Sequence, residues 1–154
     1  MTFEHWQAEV PVEITSDALW KMEAYRLGLF VSDLAWRDGA KLLREPRTRG
    51  TADQVYRAAG NISSNISEGY SRGTGKDRSR FYEYALGSAR EARDWYFKSR
   101  HVLGAKVSMH RINIVTQLIK LLIRMSSNER RANQRLELKA PAGLPSRTNQ
   151  QSPS

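Results

Sequence analysis

The stretch NISSNISEGYSRGTGKDRSR, residues 61–80, gathers most of the side chains in this chain that could do chemistry. Gly73-Thr74-Gly75-Lys76 suggests a phosphate loop, in which backbone N–H groups cradle a phosphate and the lysine reaches its oxygens. The pattern G-x-x-x-x-G-K-[ST] fails twice here. The first glycine position is Tyr70, and the Mg²⁺-binding hydroxyl position is Asp77, whose charge repels phosphate. Asn61-Ile62-Ser63 and Asn65-Ile66-Ser67 match glycosylation sequons but fall within a helical pattern. Glu68 stands in the last turn of that helix, where the dipole disfavours an anion, so it calls for a cation from Arg72, Arg78 or Arg80. His5, His101 and His110 share no helical face, and no nucleophile elbow or paired carboxylates stand out. The residues therefore predict no metal site, no cofactor and no enzyme.

Four periodic segments must position these groups. The first opens near Thr15–Asp17, with Ser16 as cap, and stops near Arg44 because Pro46 pushes Glu45 out of helical geometry. The second opens near Thr48–Thr51, where Thr51 and Gln54 fit a capping box. Ala52, Val55, Ala59, Ile62, Ile66 and Gly69 then share one face. The third starts at Thr74, capped against Asp77, and ends near Leu103 before Gly104. The fourth opens near Ser108 and buries Ile112, Val115, Ile119 and Leu122. An all-α, antiparallel up-down-up-down four-helix bundle over residues 17–128 is the expected architecture. Residues 1–16 read as an acidic N-terminal arm and 129–154 as a basic, disordered tail.

The chain has 154 residues, no cysteine and a formal net charge of +9. Disulfides and thiolate metal sites are excluded. The N-terminus MTFEHWQAEVPVE lacks the character of a secretory signal, and INIVTQLIKLLIRM is too short and too polar to span a bilayer. A cytoplasmic protein without membrane contact is expected. The basic excess favours a polyanion partner, RNA or DNA, held through phosphates. Up-down topology sorts the cations into two ends. One gathers Arg72, Lys76, Arg78 and Arg80 with Arg124, Arg130 and Arg131; the other includes Arg44, Arg47 and Arg49. Arginine suits phosphate because its planar fork donates two parallel hydrogen bonds.

Helices one and three carry more apolar surface than one core face requires. On helix one, Met22, Tyr25, Leu29, Trp36 and Leu43 form one stripe and Trp20, Leu27, Val31, Leu34 and Leu42 another, with Trp20, Leu27 and Val31 expected at an oligomer interface. On helix three, Phe81, Tyr84, Ser88, Ala92 and Trp95 are read as core, leaving Tyr82, Leu86, Arg93 and Phe97. Surplus stripes of this kind predict self-association.

RAAGNISSNISEGYSR (57–72) followed by FYEYALGSAREARDW (81–95) resembles the four-helix proteins encoded within intervening sequences of bacterial large-subunit ribosomal RNA genes. The matching positions include Arg57, Asn65, Glu68 and Gly69, which the resemblance marks as a structural motif; Asn61, Ser63 and Ser67 depart from the usual pattern. The resemblance covers roughly residues 18–125. It implies a homopentameric ring without known catalysis. A related branch, accessory variability proteins of diversity-generating retroelements, implies nucleic acid and a reverse transcriptase as partners.

Overall fold

A computed structural model of the chain describes residues 1–141, and among these it is all-helical. Two short helices open it, α1 (Phe3–Ala8) and α2 (Val12–Thr15). A 3₁₀ turn, Ala18–Lys21, leads into α3 (Glu23–Leu42), and a second, Pro46–Thr48, into α4 (Arg49–Tyr70). Then come α5 (Gly75–Lys98), the single turn α6 (Arg100–Leu103) and α7 (Ala105–Lys139). The long helices pack α3 on α4, α4 on α5, α5 on α7, and α7 back on α3. Ser79 faces Ser126 while Arg93 reaches Thr116, so α5 and α7 run in opposite directions.

The helix boundaries follow local chemistry. At Thr74 the hydroxyl accepts from the Asp77 amide at 3.2 Å, closing the cap expected there. Gly104 ends α6 at φ 85°, a left-handed conformation in which a side chain would be strained. Two other starts differ from expectation. The cap before α3 is Asp17 rather than Ser16: its carboxylate accepts from the Leu19 amide and opens the 3₁₀ turn, so α3 itself begins only at Glu23. At α4 the Thr51–Gln54 box does not form, because Pro46 seeds a 3₁₀ turn that runs straight into helix at Arg49. Thr48 instead donates its hydroxyl to the Leu42 carbonyl at 2.8 Å, stitching the end of α3 to the start of α4.

The core combines large aliphatic residues with alanines at the closest helix contacts. On α4 the expected face is buried throughout, with Val55, Ala59, Ile62 and Ile66 fully enclosed. Each of the large members contributes about 1.5–3 kcal/mol by leaving water. Opposite it, α5 buries Tyr82, Ala85, Ala89, Ala92 and Tyr96. The alanines let the backbones approach, and the two tyrosines fill the space at either end. Gly69 marks the tightest approach: a Cβ there would lie 2.9 Å from Phe81 Cβ and from the Tyr82 ring.

Both termini depart from the expected division. The acidic arm folds down as α1. Trp6 is buried against Phe30 with ring centroids 5.3 Å apart, and its indole N–H donates to Asp33 at 2.6 Å. The segment is acidic by charge, but Phe3 and Trp6 give it an apolar face that α3 covers. At the other end, Glu129–Lys139 continues α7 rather than beginning a disordered tail. The stretch lacks Gly and Pro, is rich in helix formers, and is tied down at its start by Arg78 to Glu129 and Arg130 to Glu83. The remainder of the expected tail, 142–154, lies outside the described residues.

Gly69→Ala should lower stability by about 1–3 kcal/mol, since Phe81 Cβ is fixed to its backbone and cannot yield without moving α5. Thermal melting followed by circular dichroism checks this; an unchanged midpoint would mean that α4 and α5 separate freely.

Candidate nucleic-acid interface

The two basic ends exist, but their arginines are not equally available. At the α4–α5 corner, Glu68 in the last turn of α4 accepts from Arg72 at 2.6 Å, the cationic partner its position demands. Arg78 pairs with Glu129 at 3.0 Å and is held above its ordinary pKa chiefly by that hydrogen bond. Arg80 pairs with Asp77 at 3.5 Å, and Arg130 with Glu83. Arg78 and Arg130 thus tie α5 to α7, while Arg72 and Arg80 are occupied by carboxylates one turn away. Lys76, Arg124 and Arg131 are exposed, and among the described residues no carboxylate stands within ion-pair distance of them.

At the opposite end, Arg47 closes on Glu45 at 2.7 Å, and that bond holds the Glu45 carboxyl below its usual range. Arg44 and Arg49 are exposed, with no carboxylate partner among the described residues. Of ten arginines and lysines expected to meet phosphate, Arg44, Arg49, Lys76, Arg124 and Arg131 thus keep their charge uncompensated.

The side chains expected at an oligomer interface split differently. Leu27 and Val31 are buried in the protomer's own core, as is Tyr82 at 3% exposure, so none of them can meet a partner. Trp20 is half-buried and packs beside Trp6 at 6.2 Å. The buried face of α3 carries Leu27, Phe30, Val31, Leu34 and Leu42 beside Ala24 and Ala35, and that of α5 combines Tyr82 and Tyr96 with three alanines. The other stripe of α3 faces outward in part, with Trp36 71% and Leu43 57% exposed. On α5 the stripe read as core leaves Tyr84 exposed, while Phe81 and Trp95 are half-buried. Leu86, Arg93 and Phe97 remain on the outer side of α5. Arg93 donates to Thr116 of α7 at 3.3 Å, and Phe97 is exposed beneath the Arg100 guanidinium at 4.0 Å. Exposed Met109 and Ile123 lie seven residues either side of Thr116, which extends this face onto α7.

The motif residues lie on α4. Asn65 donates to the Asn61 carbonyl at 2.8 Å, so the two sequon asparagines sit one turn apart inside α4. Arg57 lies 3.6 Å from Asp53 on the same helix. The stretch between α4 and α5 is a short corner with no left-handed glycine, since Gly104 alone among the described residues has positive φ.

One cluster escaped the sequence reading. Asp38 of α3 is buried, and Arg111 of α7 grips it in a two-pronged pair at 2.8 and 3.0 Å. The Tyr96 hydroxyl of α5 donates to the same carboxylate at 3.2 Å. Burial pushes the Tyr96 phenol far above its ordinary range, with the Asp38 charge acting in the same direction, so Tyr96 is a neutral donor. Burial alone would lower Arg111, but the hydrogen bonds and charge of Asp38 outweigh it and hold the guanidinium above its usual value. Arg111 is therefore held inside by Asp38 rather than free at a basic end. The available signal was spacing: Asp38 falls between Leu34 and Leu42 at four-residue intervals, on the buried face of α3.

The fold and its charged ends define an all-helical, basic protein. Comparison places it more narrowly. A family model described as 23S rRNA-intervening sequence protein matches residues 22–126, and the chain belongs to that family. A solved structure described as a protein with unknown function from the S23 ribosomal protein family, from Bacteroides thetaiotaomicron VPI-5482, is similar at a TM-score of 0.63 and 20% identity. The similarity covers 67% of this chain and 97% of that one, and at this identity it shows a shared fold. Comparison with curated proteins finds no match. No helix among the described residues is long and apolar enough to cross a membrane.

Arg111→Ala should cost about 3–5 kcal/mol in urea unfolding, because it strands a buried carboxylate. Asp38→Leu combined with Arg111→Met should cost less than Arg111→Ala alone, since neither charge then remains buried. The reverse order would show that Asp38 is solvated.

Proposed function

We propose that this is a non-enzymatic, oligomeric four-helix bundle that binds RNA or DNA through phosphate contacts. The observation that carries the reading is the distribution of charge after folding. Asp38, Glu45, Glu68, Asp77, Glu83 and Glu129 each hold an arginine. In a chain of net charge +9, the exposed cations without such a carboxylate among the described residues include Arg44 and Arg49 at one end of the long helices and Lys76, Arg124 and Arg131 at the other. Such groups release counterions when they meet phosphate, and no particular base is required.

The same reading places self-association on the outer side of α5 and α7, where Leu86, Arg93 and Phe97 stand with Met109 and Ile123. Copies joined there as a ring, five-membered by the family resemblance, would repeat each basic end around a rim. Repetition multiplies the phosphate contacts available to one strand, which raises affinity without any new chemistry.

Affinity for a structured RNA, measured by filter binding, should fall steeply with salt, with a logarithmic slope of roughly −0.7 to −0.9 per phosphate neutralised. Lys76→Glu, Arg124→Glu and Arg131→Glu together should weaken binding at least tenfold and leave the melting temperature almost unchanged, because these side chains hold no intramolecular ion pair. Binding indifferent to salt, or to this triple change, rejects the reading. Phe97→Glu should reduce the scattering mass toward that of a 17.6 kDa protomer; a mass unaffected by the charge would place the contact elsewhere.

A further inference from the structure

Between α3 and α4 lies an open groove of about 630 Å³ whose lining is mainly apolar. Its floor is small: Ala35, Gly39, Ala40 and Ala52. Nothing stands within 4 Å of the position a Cβ would take on Gly39, so the floor is free to be covered. One wall is aromatic. Trp36 is 71% and Tyr56 45% exposed, and their rings meet at 5.8 Å and 60°. This leaves the larger part of the indole open to an incoming plane. Arg37 and Arg49 border the groove, and among the described residues neither has a carboxylate within ion-pair distance. The acid that lines it, Asp53, is already beside Arg57 at 3.6 Å.

We infer that this groove is a stacking site for unpaired nucleobases, so that the nucleic acid this protein prefers is single-stranded or carries unpaired loops. The inference rests on the phosphate-binding reading and narrows it. An apolar floor and an exposed indole suit the π-face of any base, whereas Arg37 and Arg49 suit the phosphates on either side of it. A duplex hides those faces in its own stack and can offer only its backbone to the rim. The charge of the border favours a polyanion over a neutral apolar segment. The groove also lies across the bundle from the α5–α7 face assigned to self-association, so both surfaces can be used at once.

The test compares oligo(U) with a blunt RNA duplex of the same length at low salt. Binding of oligo(U) should quench tryptophan fluorescence in the wild type, and Trp36→Phe should abolish most of that quenching while retaining affinity. Trp36→Ala should weaken oligo(U) by about tenfold, the loss expected when one stacking partner is removed, and leave the duplex within about twofold. Trp36 is exposed, so an unchanged melting temperature will show that the variant is folded. Equal losses for oligo(U) and duplex, or a Trp36→Ala protein that binds oligo(U) normally but no longer self-associates, would overturn the stacking site and leave phosphate binding standing. Failure of both nucleic acids to bind the wild type would reject the two readings together.

Discussion

One buried carboxylate sets the orientation of the rest. Asp38 cannot be taken from water without a partner, and Arg111 and Tyr96 satisfy it from two other helices. Three of the four long helices are thereby fixed around a single point. Its cost is desolvation of both charges, so the pair need not add much net stability. With Asp38 held inward, the residue two positions earlier lies about 200° around the helix. Trp36 must therefore face away from the core, and the α3–α4 groove follows from a contact on the other side of the same helix.

Charge pairing follows a comparable economy. Some arginines near a helix terminus are spent on carboxylates, either one turn away, as with Arg72 on Glu68, or on a neighbouring helix, as with Arg78 on Glu129. Exposed pairs such as the first contribute at most a fraction of a kcal/mol each. Their larger effect is to decide which cations are left over. Sequence counting treats all basic residues at an end as equivalent; folding divides them into braces and free contacts.

The legible parts of the sequence were those with one apolar face or one special residue. α4 was readable because Val55, Ala59, Ile62 and Ile66 form a lone stripe, and the start of α5 because Thr74 and Asp77 stand at cap spacing. The left-handed Gly104 was readable because it follows the last periodic residue. α3 and α5 were misjudged because each carries two apolar stripes, and periodicity does not say which one faces inward. Bulk alone does not decide it: Leu27, Phe30, Val31, Leu34 and Leu42 of α3 turn inward with Ala85, Ala89 and Ala92 of α5, while Trp36 and Tyr84 stay outside. The interior position of Asp38 would have resolved α3, because a stripe containing an acid needs a buried cation to face it. The site suffered more than the fold. Ion pairing between distant helices, such as Arg130 with Glu83, depends on register that composition does not contain.

The length of α7 has a mechanical consequence. Only its Glu129–Arg130 turn is tied to α5 by ion pairs, and the helix then continues to Lys139 with Leu136 and Leu138 largely bare. At about 1.5 Å per residue, this carries Lys139 roughly 14 Å past the last brace. A helical arm of that reach carries Arg131 and Arg135 beyond the ion pairs that hold α7 to α5, which sets them at a longer radius than the paired arginines behind them.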